Sequence, residues 1–442
     1  MLREEDIAIE LRCQQFLCKC YMRDMVGEQS VLLFESEKEV KDVSCPHCQG
    51  RVYADGYGNV TLKDMPAWYG MAQELTFVCH RYECRQCGKK FTEEVPLRHP
   101  GTKVTDRAAR WIQAMLRFKV SIRSIQGLTG IHWATIRKLH LEIMESTLEE
   151  HVAKLKASEY RPRLLAVDEF AIHKGHTYAT CVMDLDTGEV LWVGEGRSKE
   201  DFERFFTETD PALLSGVMAV AMDMNASYHI LVRKHLPNAK IVYDRYHMQA
   251  QFGKDVLGVV RLTEARAHKE KADTLRGSLP QLHGEERKQA KEEARQERRQ
   301  YTQVKGARWA LLKNPDTLRE SQAAYLAEIL DAHSDLAVCY AMKEEMCSLF
   351  GLRDPVTAEN SWKKWFAAAK ESGIPALIRF AELKEKRIDG LIAHATYPIS
   401  TGRLEGFNNK IKVAKRLAYG YRDNHFFFTL VRFLSIPFPI FP

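Results

Sequence analysis

The chain lacks any long apolar run that could cross a membrane or serve as a secretory core. Arg3, Glu4, Glu5, Asp6, Glu10 and Arg12 interrupt the first twenty residues, so no signal-peptide core can be drawn. The tail Phe426–Pro442 is apolar but short for a span, and it carries Arg432 and several prolines. A cytoplasmic protein with no membrane partner is expected. Cysteine is too sparse for a disulfide scaffold, at 11 in 442 residues, and four of the 11 have metal-ligand spacing. Neither sign of charge dominates. A formal net charge of +6 fits a polyanionic partner without demanding one. With 45% hydrophobic and 28% charged residues the chain reads as ordinary and soluble, and its length points to two to four domains.

The four spaced cysteines are Cys45-Pro-His-Cys48 and, after 35 intervening residues, Cys84-Arg-Gln-Cys87 followed by Gly88. Paired CxxC knuckles let four thiolates close a tetrahedron around one Zn²⁺, with short strands between them, and the glycine eases the last turn. Four protein ligands leave no open position, so this zinc would be structural; unliganded core cysteines are the alternative. Cys79, five positions before the second knuckle, fits packing inside a strand, and His80 is a spare candidate. Before this 43–98 zinc ribbon, a weakly periodic segment, 1–42, holds Cys13, Cys18 and Cys20, read as free or structural thiols.

Helical periodicity takes over at 102–150. Thr105-Asp106 can cap a helix through Phe118, Ser121 a second over Ile122–Leu128, and after Gly130 a third is expected over Ala134–Met144. Short helix, glycine turn and longer helix is the layout of a helix-turn-helix, with His132, Thr135, Arg137 and Lys138 available to touch DNA. A plain three-helix bundle is the competing reading.

From Arg163 strands and helices alternate. Leu164–Val167, Tyr178–Met183, Val190–Val193, Val217–Met222 and Ile241–Tyr243 read as strands, with Asp186-Thr187-Gly188-Glu189 turning the second into the third. Helices are expected over Ser198–Phe206 and Tyr228–His235. Three antiparallel strands, a helix, a parallel strand, a helix and another parallel strand is the order of a ribonuclease-H-like core. Asp168, Asp223 and Asp244 each follow an apolar run, at the strand ends where open α/β sheets place ligands, and together they look like a divalent-metal site. Glu169 would face away from Asp168 if the strand continues.

No convincing strand occurs in 249–395, which reads as an all-helical insertion after the 160–248 segment. Its charged stretch Glu264–Gln300 suits a solvated helix face, its amphipathic segments are Gln322–Leu336, Ala337–Phe350 and Ile374–Lys384, and Trp309, Trp362 and Trp365 are expected in the core. The segment 396–442 brings Glu405 near a helix start, then Asn408, Asn409 and the cations Lys410, Lys412, Lys415 and Arg416. The fold class is thus multidomain α/β: a ribonuclease-H-like core interrupted by helices and preceded by a zinc ribbon and a helix-turn-helix.

Across residues 43–435 the chain resembles bacterial insertion-sequence transposases with an Asp-Asp-Glu catalytic triad. The resemblance rests on CPHC and CRQCGKKF, AVDEFAIHKGHTYAT, AVAMDMNASY with IVYDRYHM, RWALLKNPDTL, and TGRLEGFNNKIKVAKRLAYGYRD. It implies that Asp168, Glu405 and one of Asp223 and Asp244 form the catalytic set. Asp223, ending the fourth strand, is the favoured second aspartate, which leaves Asp244 and His247 as close neighbours or DNA contacts. Such carboxylates suit two Mg²⁺ or Mn²⁺ ions acting on the attacking and leaving oxygens of a phosphodiester, with no covalent protein nucleophile. The resemblance further implies that the zinc ribbon and helix-turn-helix bind terminal inverted repeats, that the basic helix after Glu405 holds the DNA backbone, and that a dimer or larger synaptic assembly acts on ends and target DNA. A catalytically inactive DNA-binding regulator and a structure-selective nuclease of the same fold are the alternatives.

Overall fold

The computed structural model describes residues 16–24, 29–36, 42–67, 71–95, 97–173, 177–418 and 420–436. Cys13, the side chains of Cys18 and Cys20, and the tail beyond residue 436 lie outside the described residues. The chain divides into two compact units, Met1–Lys154 and Leu155–Pro442.

The first unit is built on a five-stranded sheet of β1 (Phe16–Asp24), β2 (Gln29–Ser36), β3 (Val52–Ala67), β4 (Met71–Cys84) and β5 (Lys90–Thr92), in the order β1-β2-β4-β3 with β5 also on β4. Between the knuckles the chain forms strands of 16 and 14 residues, not the short strands expected from the motif. Alternation accounts for the length: Leu75, Phe77 and Cys79 point every second residue into a core with Leu62, Phe16 and Phe34. Residues 16–24 and 29–36, where periodicity is weak, pair into the same sheet, β1 on β2 and β2 on β4.

Among the described residues, three helices complete this unit. The first, α1 (Asp106–Arg117), is capped by the Thr105 side chain, which accepts the Ala108 N–H. Thr105 also donates to the buried Asp64 at 2.6 Å, and Arg107 Nε reaches the same carboxylate at 2.8 Å, so the end of β3 fixes the start of α1. Ser121 caps α2 (Ile122–Thr129), and Gly130 follows in the left-handed region at φ 61°. The last helix, α3 (Trp133–Ala157), runs 25 residues instead of stopping at Met144, because 145–157 contain no glycine or proline to end it. Ile112, Leu116, Ile125, Ile136 and Leu139 form the shared core.

The second unit opens with β6 (Leu164–Ala171), β7 (Tyr178–Asp184) and β8 (Val190–Glu195), antiparallel in sequence. Helices α4 (Lys199–Glu208) and α5 (Pro211–Leu214) lead to β9 (Ala219–Met222), and α6 (Ala226–His235) leads to β10 (Lys240–Tyr243). The sheet order is β10-β9-β6-β7-β8, with β9 parallel to both β6 and β10. Leu165 and Val167 face a cluster containing Phe202, Phe205 and Leu231, while Ala166 and Phe170 face the other side.

A helical block follows: α7 (Arg245–Phe252), a π-helical turn (Gly253–Leu257), α8 (Gly258–Ser278), α9 (Gly284–Gly306), α10 (Arg308–Leu312), α11 (Glu320–Ala332), α12 (Ser334–Leu349), α13 (Pro355–Glu371), α14 (Pro375–Glu385) and α15 (Ile388–Thr396). The charge-rich helices α8 and α9 pair with Ala272, Ala290 and Ala294 buried, and most of their charges lie outward. Trp362 and Trp365 are buried, as expected. Trp309 is not: it is 45% exposed and stacked on Tyr325, since the five-residue α10 has too little apolar surface to cover an indole. The block joins the sheet's core through Phe252, Trp365 and Phe380. At Gly390 a side chain would overlap the Tyr243 ring, so α15 lies directly against β10. Two helices finish the chain, α16 (Gly402–Leu417) and α17 (Asn424–Ser435). Among the described residues, no helix is long and apolar enough to cross a membrane.

Candidate active site

Asp168 sits on β6 between Ala166 and Phe170, on the face that α16 covers with Leu404, Phe407 and Ile411. Asn408 of α16 is buried and donates its Nδ2 to Asp168 Oδ2 at 2.9 Å. Glu405 lies one turn earlier on the same helix, partly exposed. Several bonds hold that helix in place. The Arg403 guanidinium donates to the carbonyls of Leu185, Asp186 and Thr187 in the β7–β8 turn. Lys415 Nζ donates to the Ala171 carbonyl at 2.6 Å.

The two other aspartates occupy different environments. Asp223, just past β9, is partly exposed, and its Oδ1 accepts the Asn225 N–H at 2.9 Å. Asp244, just past β10, is 2% exposed. Its Oδ1 accepts the N–H groups of Tyr246 at 2.8 Å and His247 at 3.1 Å, capping α7, and its Oδ2 accepts the Thr401 N–H at 2.8 Å. One carboxylate therefore joins the end of β10 to the start of α16 across 157 positions. His247, on the first turn of α7, brings Nε2 to 3.6 Å from Glu405 Oε1.

Burial pushes the Asp168 carboxyl up to about 6; His247 opposes the rise, and the charges of Glu405 and Asp223 add to it. A carboxylate group strained by burial and like charge, open to solvent at one side, is a donor set that a divalent cation would relieve. Glu169 faces away, accepting the Tyr228 hydroxyl at 2.8 Å beside Arg197. Arg387, from the helical block, donates to the Met224 carbonyl next to Asp223. Neither Arg403 nor Arg387 stands out in the sequence. Their partners are carbonyls far along the chain, and no spacing rule reports such bonds.

In the first unit Cys45, Cys48, Cys84 and Cys87 bring their sulfurs within 4.8 Å of one another. Cys45–Cys87 and Cys48–Cys84 are 3.7 and 3.4 Å apart, close to the edge of about 3.8 Å for a tetrahedron with metal–sulfur bonds of about 2.3 Å. The Cys87 and Gln86 N–H groups hold the Cys84 thiol below its ordinary range, while the neighbouring Cys48 thiol, bonded to Cys84, is pushed up. These residues fit one Zn²⁺. Cys79 is outside the cluster, and burial pushes its thiol up to about 12. On α3, His132 is exposed and caps the helix by accepting the Ala134 N–H, while Thr135 and Arg137 are half-buried. Lys138 is exposed, but its Nζ donates to the carbonyls of Pro100 and Gly101. Trp133 is 51% exposed at the start of that helix. On α16, Asn409, Lys410, Lys412 and Arg416 are exposed, with Lys412 donating to Asn409 at 3.3 Å.

The chain is similar to known proteins over most of its length. A family model described as Transposase, of the ISL3 group of DDE transposases, matches residues 165–431. The transposase for insertion sequence element IS1001 of Bordetella parapertussis is 34% identical over 380 residues, covering 84% of this chain and 83% of that protein. The transposase for insertion sequence element IS1557 of Mycobacterium tuberculosis is 26% identical over 310 residues, covering 70% of this chain and 67% of its own. The protein is a transposase. It belongs to the ISL3 family of insertion-sequence DDE transposases.

Proposed function

We propose that this transposase cuts and joins DNA at the ends of its insertion sequence by divalent-metal-dependent phosphodiester transfer, with Asp168, Asp223 and Glu405 as the metal-holding carboxylates. The observation that supports this reading is the like-charge influence of Glu405, on α16, and Asp223, just past β9, on the buried Asp168 of β6; the ligand atoms that lie within 4.8 Å of one another are those of Asp244, His247 and Glu405. The strand order β10-β9-β6-β7-β8 supports a ribonuclease-H-like core with Asp168 on its central strand.

When bound, Mg²⁺ or Mn²⁺ supplies charge stabilisation to the attacking and leaving oxygens and acidifies the attacking hydroxyl or water. Asp168 would be one of the residues holding the ions, and Asn408 fixes its orientation. Asp223 and Glu405 flank it as the other two carboxylates. Asp244 is a positioning residue: its carboxylate is spent on three backbone N–H groups, and it sets the height of α16. The exposed Lys410, Lys412 and Arg416 on α16 neutralise backbone phosphates of the end being cut. The four cysteines would hold one Zn²⁺, which would tie the open end of the β3–β4 hairpin together. The helices α2 and α3 read the terminal inverted repeats, with His132, Thr135 and Arg137 at the contact and Lys138 bracing the 100–101 loop. The segments 43–98, 102–150, 160–248, 249–395 and 396–442 serve as zinc ribbon, end-binding helices, first core part, helical insertion and second core part. Joining two ends implies a dimer or larger assembly.

Purified protein with Mg²⁺ or Mn²⁺ should cleave a duplex bearing the element's own ends and join the released 3′ end to target DNA, and chelation should stop both steps. Tight, specific end binding with no cleavage in either metal would replace the enzyme with a DNA-binding regulator. Cleavage of branched DNA regardless of end sequence would replace it with a structure-selective nuclease.

A further inference from the structure

Asp244 and Glu405 share their corner of the site with a nitrogen donor. Asp244, His247 and Glu405 each offer a ligand atom, and the three atoms lie within 4.8 Å of one another. His247 Nε2 is out of contact with solvent and has no hydrogen-bond partner, although the side chain as a whole is 39% exposed. A ring nitrogen turned inward without a partner costs free energy unless something fills the gap. Its nearest charged neighbour is Glu405 Oε1 at 3.6 Å, beyond hydrogen-bonding distance yet close enough for one cation to lie between the two atoms. The Asp244 cap, which accepts the His247 backbone N–H at 3.1 Å, fixes the stretch of helix from which the ring projects. Asp244 contributes a nearby oxygen, but both its oxygens already accept N–H groups, so the open donors are His247 and Glu405.

We infer that His247 is a ligand, through Nε2, of the divalent cation that Glu405 holds, and that this position selects Mn²⁺ over Mg²⁺. The inference rests on the metal-dependent reading above and deepens it. Mg²⁺ prefers hard oxygen donors and holds its waters, whereas imidazole suits later and softer divalent ions. One nitrogen ligand among carboxylates therefore biases the site towards Mn²⁺.

Full-length protein loaded with Mn²⁺ alone, without DNA, should show nitrogen-14 coupling to the ion by pulsed electron paramagnetic resonance. In His247→Gln the coupling should vanish and Mn²⁺ affinity should fall by roughly ten-fold or more. In His229→Gln, a control at a histidine bonded to Tyr243, the coupling should persist. The His247 side chain is partly exposed, and the cap uses its backbone N–H, so the substitution leaves the hydrogen bonds of α7 intact. His247→Asp, which supplies oxygen for nitrogen, should keep the protein metal-loaded and shift binding preference towards Mg²⁺ by about ten-fold relative to wild type. Wild-type protein that binds Mn²⁺ without nitrogen coupling, or coupling that survives in His247→Gln, overturns the inference while leaving the transposase chemistry standing. Wild type that shows the coupling but cuts no DNA with either metal overturns the cleavage reading and leaves the ligand assignment intact.

Discussion

Glu405→Gln and Asp168→Asn are each expected to lower end cleavage and strand transfer by at least about a thousand-fold, which is about 4 kcal/mol of transition-state stabilisation. Both replacements keep shape and hydrogen-bonding length and remove a charge. In the Glu405→Gln protein the new amide would stay on a helix seated by Leu404, Phe407 and Ile411, none of which changes. In the Asp168→Asn protein the substituted side chain would still lie within reach of Asn408. What disappears is the anionic oxygen a divalent ion needs, and an amide is a poor substitute for it. Gel-shift affinity for the element's ends should stay within about two-fold, since the phosphate and base contacts come from other residues. Single-turnover cleavage with Mn²⁺ and a binding titration on the same preparation separate the two effects. Near-wild-type strand transfer by either variant would remove that residue from the ligand set.

Asp244→Ala is expected to be nearly as damaging, for a different reason. It leaves the N–H groups of Tyr246, His247 and Thr401 without their carboxylate in a site that is 2% exposed. Each unsatisfied buried donor costs about 1–3 kcal/mol, so a loss of several kcal/mol of stability is expected, though water entering the gap would reduce it. Glu405 rides on the helix that Asp244 anchors, and a shift of about an ångström in a reacting geometry costs on the order of a hundred-fold in rate. Asp244→Asn should recover only the Oδ1 half of the bonding, because an amide nitrogen facing the Thr401 N–H sets donor against donor. Thermal unfolding together with Mn²⁺ affinity distinguishes this from loss of a ligand. Asp244 variants should melt lower, and Asp223→Asn should bind metal less tightly with little change in melting. An Asp244→Ala protein that melts and cleaves like wild type would end the positioning role.

These two predictions show where the sequence stops being informative. The strands β6 to β10 are legible as apolar runs between turn signals, and Asp168, Asp223 and Asp244 stand out because each follows one. What separates Asp223 from Asp244 is invisible in the chain order. It depends on the Thr401 N–H, 157 positions away, and on the turn of α7 that folds back onto Asp244. Asn408 reads as a polar residue on a basic helix, suited to DNA, until α16 packs on β6 and turns its amide onto Asp168. Lys415 and Lys138 likewise read as free cations and are spent on backbone carbonyls. The knuckle spacing identifies the four cysteines but says nothing of the long hairpin between them, whose alternating core residues answer to partners in β1 and β2. Trp309 misleads because large aromatics are usually buried, while a five-residue helix has no face wide enough to hide one.

The most direct measurement is anomalous scattering from crystals of the protein bound to an end duplex and soaked in Mn²⁺. The account predicts two Mn²⁺ peaks that share Asp168, one also contacting Asp223 and the other contacting Glu405 with His247. Peaks that avoid Asp168, or a Mn²⁺ bound to Asp244 in place of Asp223, would contradict it.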